Sequence, residues 1–167
     1  MAFLKHSDSD LTADEKVTNG ETLIHKHNVS VLLAGVIANL LQRSVDHDLS
    51  KLGEFERESF TKYTPRLASM EYGSDEYRQC LREMQPAIDH HYYHNSHHPE
   101  HYAGGINGMS LLDLIEMVLD WKAASWRGKN GDMLKSLEIN KERFGISEQL
   151  YAVLQNTIIE LNLAEMP

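Results

Sequence analysis

The sequence predicts an all-α, single-domain helical bundle, and three observations carry that prediction. Apolar residues recur at three- and four-residue steps through most of the chain. No segment shows the period-two alternation of a half-buried strand. Serine caps and a proline stand where the periodic stretches begin or end.

Residues 1–18 are polar and are expected to form a tail or short turn ahead of a domain spanning 19–167. From about Asn19 to Ser44, the residues Leu23, Val29, Leu32, Val36 and Leu40 mark one buried helix face. His25 lies on that face, and His27 shares a neighbouring stripe with Val31 and Ala34. A second helix is expected from about Asp46 to Lys62, broken by Tyr63-Thr64-Pro65 because proline disfavours helix at the residue before it. Ser74 caps a third that reaches about His94, with Asp75 and Glu76 in its first turn and a kink at Pro86. Residues 95–109 read as a loop. Ser110 and Asp113 open a helix to about Trp126 in the manner of a capping box. Two further helices are expected over about 131–143 and 147–162, the last capped by Ser147. The 19–44 and 110–126 helices should form the centre of the packing.

Composition narrows the function. A length of 167 residues suits one domain, and 41% hydrophobic with 25% charged residues is ordinary for a soluble one. No apolar run approaches bilayer-spanning length, and Met1 to Asp10 lacks a secretory core, so no membrane partner is expected. Cys80 stands alone, so an internal disulfide is excluded and a cytoplasmic setting is expected. The net charge of −9, without any basic block, argues against a long nucleic-acid partner. An acidic chain can still take a small phosphorylated ligand where metal ions supply the positive charge. The apolar residues Leu150, Val153, Leu154, Ile158 and Leu161 suit either a core or a homo-oligomer interface.

Three features can carry chemistry. Six of the ten histidines fall between His90 and His101, and neutral imidazole is the commonest metal ligand near physiological pH. His90 and His94 share a helix face, as do His91 and Asn95, while His97 and His98 follow at the helix-to-loop junction. His47 and Asp48 are adjacent on the second helix, with Lys51 one turn on; alone they read as a solvated helix start. Asp113, Glu116 and Asp120 line one helix face. Asp113 and Glu116 fit an acidic outer stripe, but Asp120 borders apolar residues, where a carboxylate is costly unless paired or metal-bound.

In order, His25, His47-Asp48, the histidine group and Asp120 resemble the metal-binding pattern of the HD superfamily. The string His47-Asp48-Leu-Ser-Lys51 is similar to the His-Asp-Ile-Gly-Lys element of its HD-GYP phosphodiesterase branch. His97-His98-Pro-Glu100, with Gly104-Gly105-Ile downstream, resembles that branch's His-His-Glu loop. The Gly-Tyr-Pro motif is missing, so a cyclic dinucleotide substrate does not follow. From about Glu21 to Asn156 the chain also looks like a family of short HD-like bacterial and phage proteins with no assigned activity.

The resemblance implies an HD-like metal-dependent phosphohydrolase acting on a nucleotide or similar phosphate ester. It implies His25, His47, Asp48, His91, His98 and Asp120 as ligands of one or two divalent transition ions (Mn, Fe, Co, Ni or Zn), with His27, His90 and His97 as alternates. Asp48, Lys51, Glu100 and His101 are the expected catalytic residues, the last two for proton transfer. Tyr92, Tyr93 and Tyr102 are candidates to stack on a base, or to pack in the core. Two other readings stay open: an HD-fold di-iron oxygenase, and a nucleotide-binding protein without turnover. The enzyme readings require His47 and Asp120 to meet in the fold.

Overall fold

A computed structural model describes residues 11–71, 73–126 and 132–164. Among these residues every regular element is a helix and none is a strand, as the sequence predicts. It divides into two compact units, one ending at Arg43 and one beginning at Ser44.

The first unit is essentially one helix, α1 (Ala13–Asp46), whose last turn runs into the second unit. It starts earlier than expected, because Thr12 and Glu15 form a reciprocal cap. The Thr12 backbone N–H donates to Glu15 Oε2 at 2.7 Å, and the Glu15 N–H donates back to Thr12 Oγ1 at 3.3 Å. Residues 13–18 are therefore helical rather than a tail; residues 1–10 lie outside the described residues. The expected buried face is corrected too. No residue of α1 is buried, and Leu23 and Leu32 are 65% and 71% exposed. Between Val29 and Leu41 the exposed apolar side chains, including Val31, Leu32 and Ile37, succeed one another around the helix rather than forming a stripe. Within Ala13–Leu52 lies a window that is, by length and composition alone, long and apolar enough to cross a membrane, where no apolar run of that length was expected.

The second unit holds α2 (Glu54–Ala68), α3 (Asp75–His94), α4 (Leu111–Ser125), α5 (Met133–Phe144) and α6 (Glu148–Glu160). Two apolar clusters organise it. Tyr63, Cys80 and Met84 join α2 to α3. Met117, Val118, Met133, Leu137, Leu154 and Ile158 join α4, α5 and α6. Of the apolar C-terminal set, Leu154 and Ile158 enter that core while Val153 and Leu161 stay exposed.

The expected helix 46–62 is not continuous. His47 and Asp48 form a turn, Leu49–Leu52 is a short 3-10 helix, and α2 begins only at Glu54. Asp48 adopts φ 58°, a left-handed conformation that Asp tolerates better than most residues. Pro65 does not end α2, which continues to Ala68. The proline's local preference yields to packing of Tyr63 and Leu67 against α3. α3 likewise runs through Pro86. The loop after α3 contains two 3-10 turns, Pro99–His101 and Gly105–Gly108. A Cβ at Gly108 would lie 2.7 Å from Tyr102 Cβ, so only glycine lets that ring approach. Tyr102 in turn donates to Asp113 Oδ2 at 2.9 Å. Asp113 and Ser110 complete the expected capping box of α4.

Candidate metal centre

Within the second unit, the turn after α1, the end of α3, the loop behind it and one face of α4 all direct polar side chains to one place. Three overlapping groups can each hold a cation: Asp48, His91, His97 and His98; His47, Asp48 and Asp120; and His47, His97 and Glu116. The requirement that His47 and Asp120 meet is satisfied, since His47 Nε2 lies 3.6 Å from Asp120 Oδ1.

The interatomic spacings resemble edges of a coordination polyhedron. His91 Nε2 is 3.0 Å from His98 Nε2 and 3.1 Å from Asp48 Oδ1, and His97 Nε2 is 3.6 Å from the same oxygen. Donors bound to one ion at about 2.0–2.2 Å stand roughly 3–3.5 Å apart. Asp48 Oδ1 and His97 Nε2 are both buried without a hydrogen-bond partner, although His97 is only 2% exposed. Buried polar atoms are seldom left so, and one explanation for such orphans is an ion. The donor set of imidazoles and carboxylates suits a transition ion better than calcium or magnesium.

Charge is arranged to match. Burial works against ionised Asp48, yet the approach of His91 and the Lys51 ammonium, 2.5 Å from Oδ2, hold its carboxyl well below the usual range. Asp120 is also held low despite its burial, chiefly by His47. Burial, reinforced by His97 and His91, pushes His98 down to about 3, and burial together with His47 lowers His97. Both imidazoles therefore keep a free lone pair at neutral pH. His47 behaves oppositely: Asp120, helped by Glu116 and Asp48, raises it to about 9.

Other side chains hold the donors. Glu116 Oε1 accepts from His47 Nδ1 at 2.9 Å and lies 3.2 Å from His97 Nδ1. Glu56, fully buried on α2, accepts from His90 Nδ1 at 2.6 Å, His91 Nδ1 at 3.0 Å and Ser50 Oγ at 3.1 Å. Asn95 donates to Ser50 Oγ and to the His91 carbonyl.

Of the residues expected from sequence, His47, Asp48, His91, His98 and Asp120 are brought together, with Lys51 beside Asp48. His97, expected as an alternate, joins His98 rather than replacing it. His25 and His27 lie on exposed positions of α1 in the first unit, and none of the three groups includes either. His90 is held by Glu56 instead. Glu100 is paired with Arg143 at 2.7 Å, and His101 Nδ1 donates to the Tyr92 carbonyl at 2.9 Å. Glu116 and Asp113 do not form an outer stripe: Asp113 is buried as a cap and anchor, and Glu116 turns inward to the imidazoles. Glu56 carried no signal in the sequence, where it is one acid among several on a polar helix.

Fold and site together define an all-helical protein with a partly buried histidine–carboxylate centre. The chain belongs to a family of unknown function, DUF5662, whose model matches residues 14–160. No curated protein and no solved structure matches it significantly.

Proposed function

We propose that the second unit is a metal centre serving a metal-dependent hydrolase, with a phosphate ester, such as a nucleotide, as substrate. The observation that carries the metal reading is the pair of orphaned atoms, Asp48 Oδ1 and His97 Nε2. They face each other across 3.6 Å with two further donors, His91 and His98, beside them. His91, His97, His98 and Asp48 would hold one ion, and His47 and Asp120 with Asp48 a second. The phosphate-ester reading rests on the HD-like order of these residues and on a cation beside them.

A divalent transition ion, when bound, supplies Lewis acidity to a phosphoryl oxygen and acidifies a water. The chain's own residues do the rest. Asp48 turns Oδ1 toward His91 and His97, and Oδ2 toward His47 and Lys51, so one carboxylate serves both sides of the centre. Lys51 neutralises Asp48 in the free protein and offers a point charge to an incoming phosphate. The side chains of His47, Asp48 and Asp120 stay 21–28% exposed, which gives a substrate an approach. Glu100 and His101 take no part in this scheme, because Arg143 and the Tyr92 carbonyl already occupy them.

The test is metal analysis of protein purified without chelators, followed by a screen of nucleotides and aryl phosphates with Mn, Fe, Co, Ni and Zn. Bound metal with metal-dependent phosphate release supports the reading. Two irons with oxygen uptake and no hydrolysis would move it to an oxygenase. Tight nucleotide binding without product under every metal would make it a sequestering protein.

A further inference from the structure

We infer that Glu116 and Glu56 are positioning residues that fix which nitrogen each histidine presents to the centre. The inference rests on the metal reading above. Glu116 and Glu56 hold Nδ1–H of His47, His97 and His91, so that all three rings offer Nε2.

The hydrogen-bond inventory leaves little alternative. A carboxylate only accepts, so His47 Nδ1 must carry a proton toward Glu116 Oε1, and His97 Nδ1 lies 3.2 Å from the same oxygen. With its proton on that side, His97 keeps a lone pair at Nε2, the buried atom without a partner. At His91, three groups crowd Nδ1: Glu56 Oε2 at 3.0 Å, Ser50 Oγ at 3.1 Å and Asn95 Nδ2 at 3.1 Å. Both amide hydrogens of Asn95 are taken, by Ser50 Oγ and by the His91 carbonyl, and the Ser50 hydroxyl hydrogen goes to Glu56. Only a proton on Nδ1, given to Glu56, satisfies the set. His91 Nε2 is then the nitrogen turned to the centre, 3.1 Å from Asp48 Oδ1 and 3.0 Å from His98 Nε2. Each carboxylate thus serves two histidines, which sets ring orientation as well as tautomer.

This differs from a direct role for Glu116, which stands close enough to His47 and His97 to be a ligand itself. The experiment uses the full chain with 15N-labelled histidine, loaded with Zn and read by long-range nitrogen–proton NMR. Wild type should show His47, His91 and His97 with Nδ1 protonated and Nε2 bound. Glu116→Ala should weaken Zn affinity 10–100-fold at unchanged stoichiometry. It should let the Nδ1 protons of His47 and His97 exchange with water, while His91, under Glu56, keeps its signal as an internal control. Glu116→Gln, whose amide oxygen still accepts, should fall between the two.

Zn bound through Nδ1 of His47 or His97 overturns the inference. So does loss of one whole ion in Glu116→Gln, which would make Glu116 a ligand, or affinity unchanged in Glu116→Ala. Should wild type bind no metal, the metal reading fails by itself. The tautomers of His91 and His97 in the metal-free protein then decide: Nδ1–H upholds the lock, and Nε2–H overturns it.

Discussion

The two units treat water in opposite ways. α1 exposes apolar side chains around its circumference between Val29 and Leu41, and none of its residues is buried. The second unit buries Glu56, His91, His97 and Asp113 beside its apolar clusters. Each arrangement is unfavourable in isolation, since exposed apolar area and unpaired buried charge both cost free energy. In the second unit the cost is offset locally: among the described residues nearly every buried side-chain polar atom has a partner, and the exceptions converge on one point. The contrast teaches that buried polar groups identify their own function more sharply than exposed apolar ones, because their partners must lie within bonding distance.

The comparison can be broken most decisively at the centre. Asp48→Ala removes the carboxylate that both sides share, and it should lower metal affinity by more than about 100-fold, beyond the effect of losing a supporting residue. Metal content after gel filtration checks this. Retention of the full complement would sink the shared-carboxylate account.

The next largest effect contrasts the two kinds of apolar residue. Leu137→Ala, at a position that is 0% exposed, should cost about 2–5 kcal/mol in chemical denaturation. Leu32→Ala on α1, 71% exposed, should change stability by less than about 0.5 kcal/mol. A cost for Leu32→Ala comparable to that of Leu137→Ala would mean that α1 is covered in solution.

Acidity sharpens the account further. The raised value of His47, about 9, means that an ion needing its lone pair must displace a proton at neutral pH. Metal affinity should therefore rise between pH 7 and about 9 and then level off, because His97 and His98 are already neutral over that range. In the metal-free protein the sign reverses. The stabilisation from protonated His47 is full below its unfolded value of about 6.5 and is lost as pH rises through about 9. Isothermal titration and denaturation across this window test the two halves separately.

The smallest effect lies at the start of α1. Thr12→Ala removes the hydroxyl that caps Glu15 and should cost about 1 kcal/mol of local helix stability. It should appear as faster amide exchange in the first turn, with no change in metal binding. Unchanged exchange would show the cap to be idle.

Much of this was legible in the sequence. The spacing of Ser74, Ser110 and Ser147 located three helix starts, and His47-Asp48, the histidine group and Asp120 were recognisable as candidates for one site. The Thr12-Ala-Asp-Glu15 cap was equally readable, since Ser/Thr followed three residues later by Glu is a known signal. Other features could not be read locally. Pro65 stays helical because Tyr63 and Leu67 pack on α3, which no neighbour in sequence reveals. Periodicity shows that α1 carries apolar residues, not what covers them. Glu56 and Glu116 look like surface acids until the fold places them under four imidazole rings.

The central claim is that Asp48 and the histidines of α3 and the following loop form one metal site. Anomalous diffraction at the metal's absorption edge, from crystals of protein loaded with Zn or Mn, tests it directly. The account predicts a peak within bonding distance of Asp48 Oδ1 and the Nε2 atoms of His91, His97 and His98. A peak only at exposed histidines such as His94 and His101, with these four side chains bare at saturating metal, would contradict it.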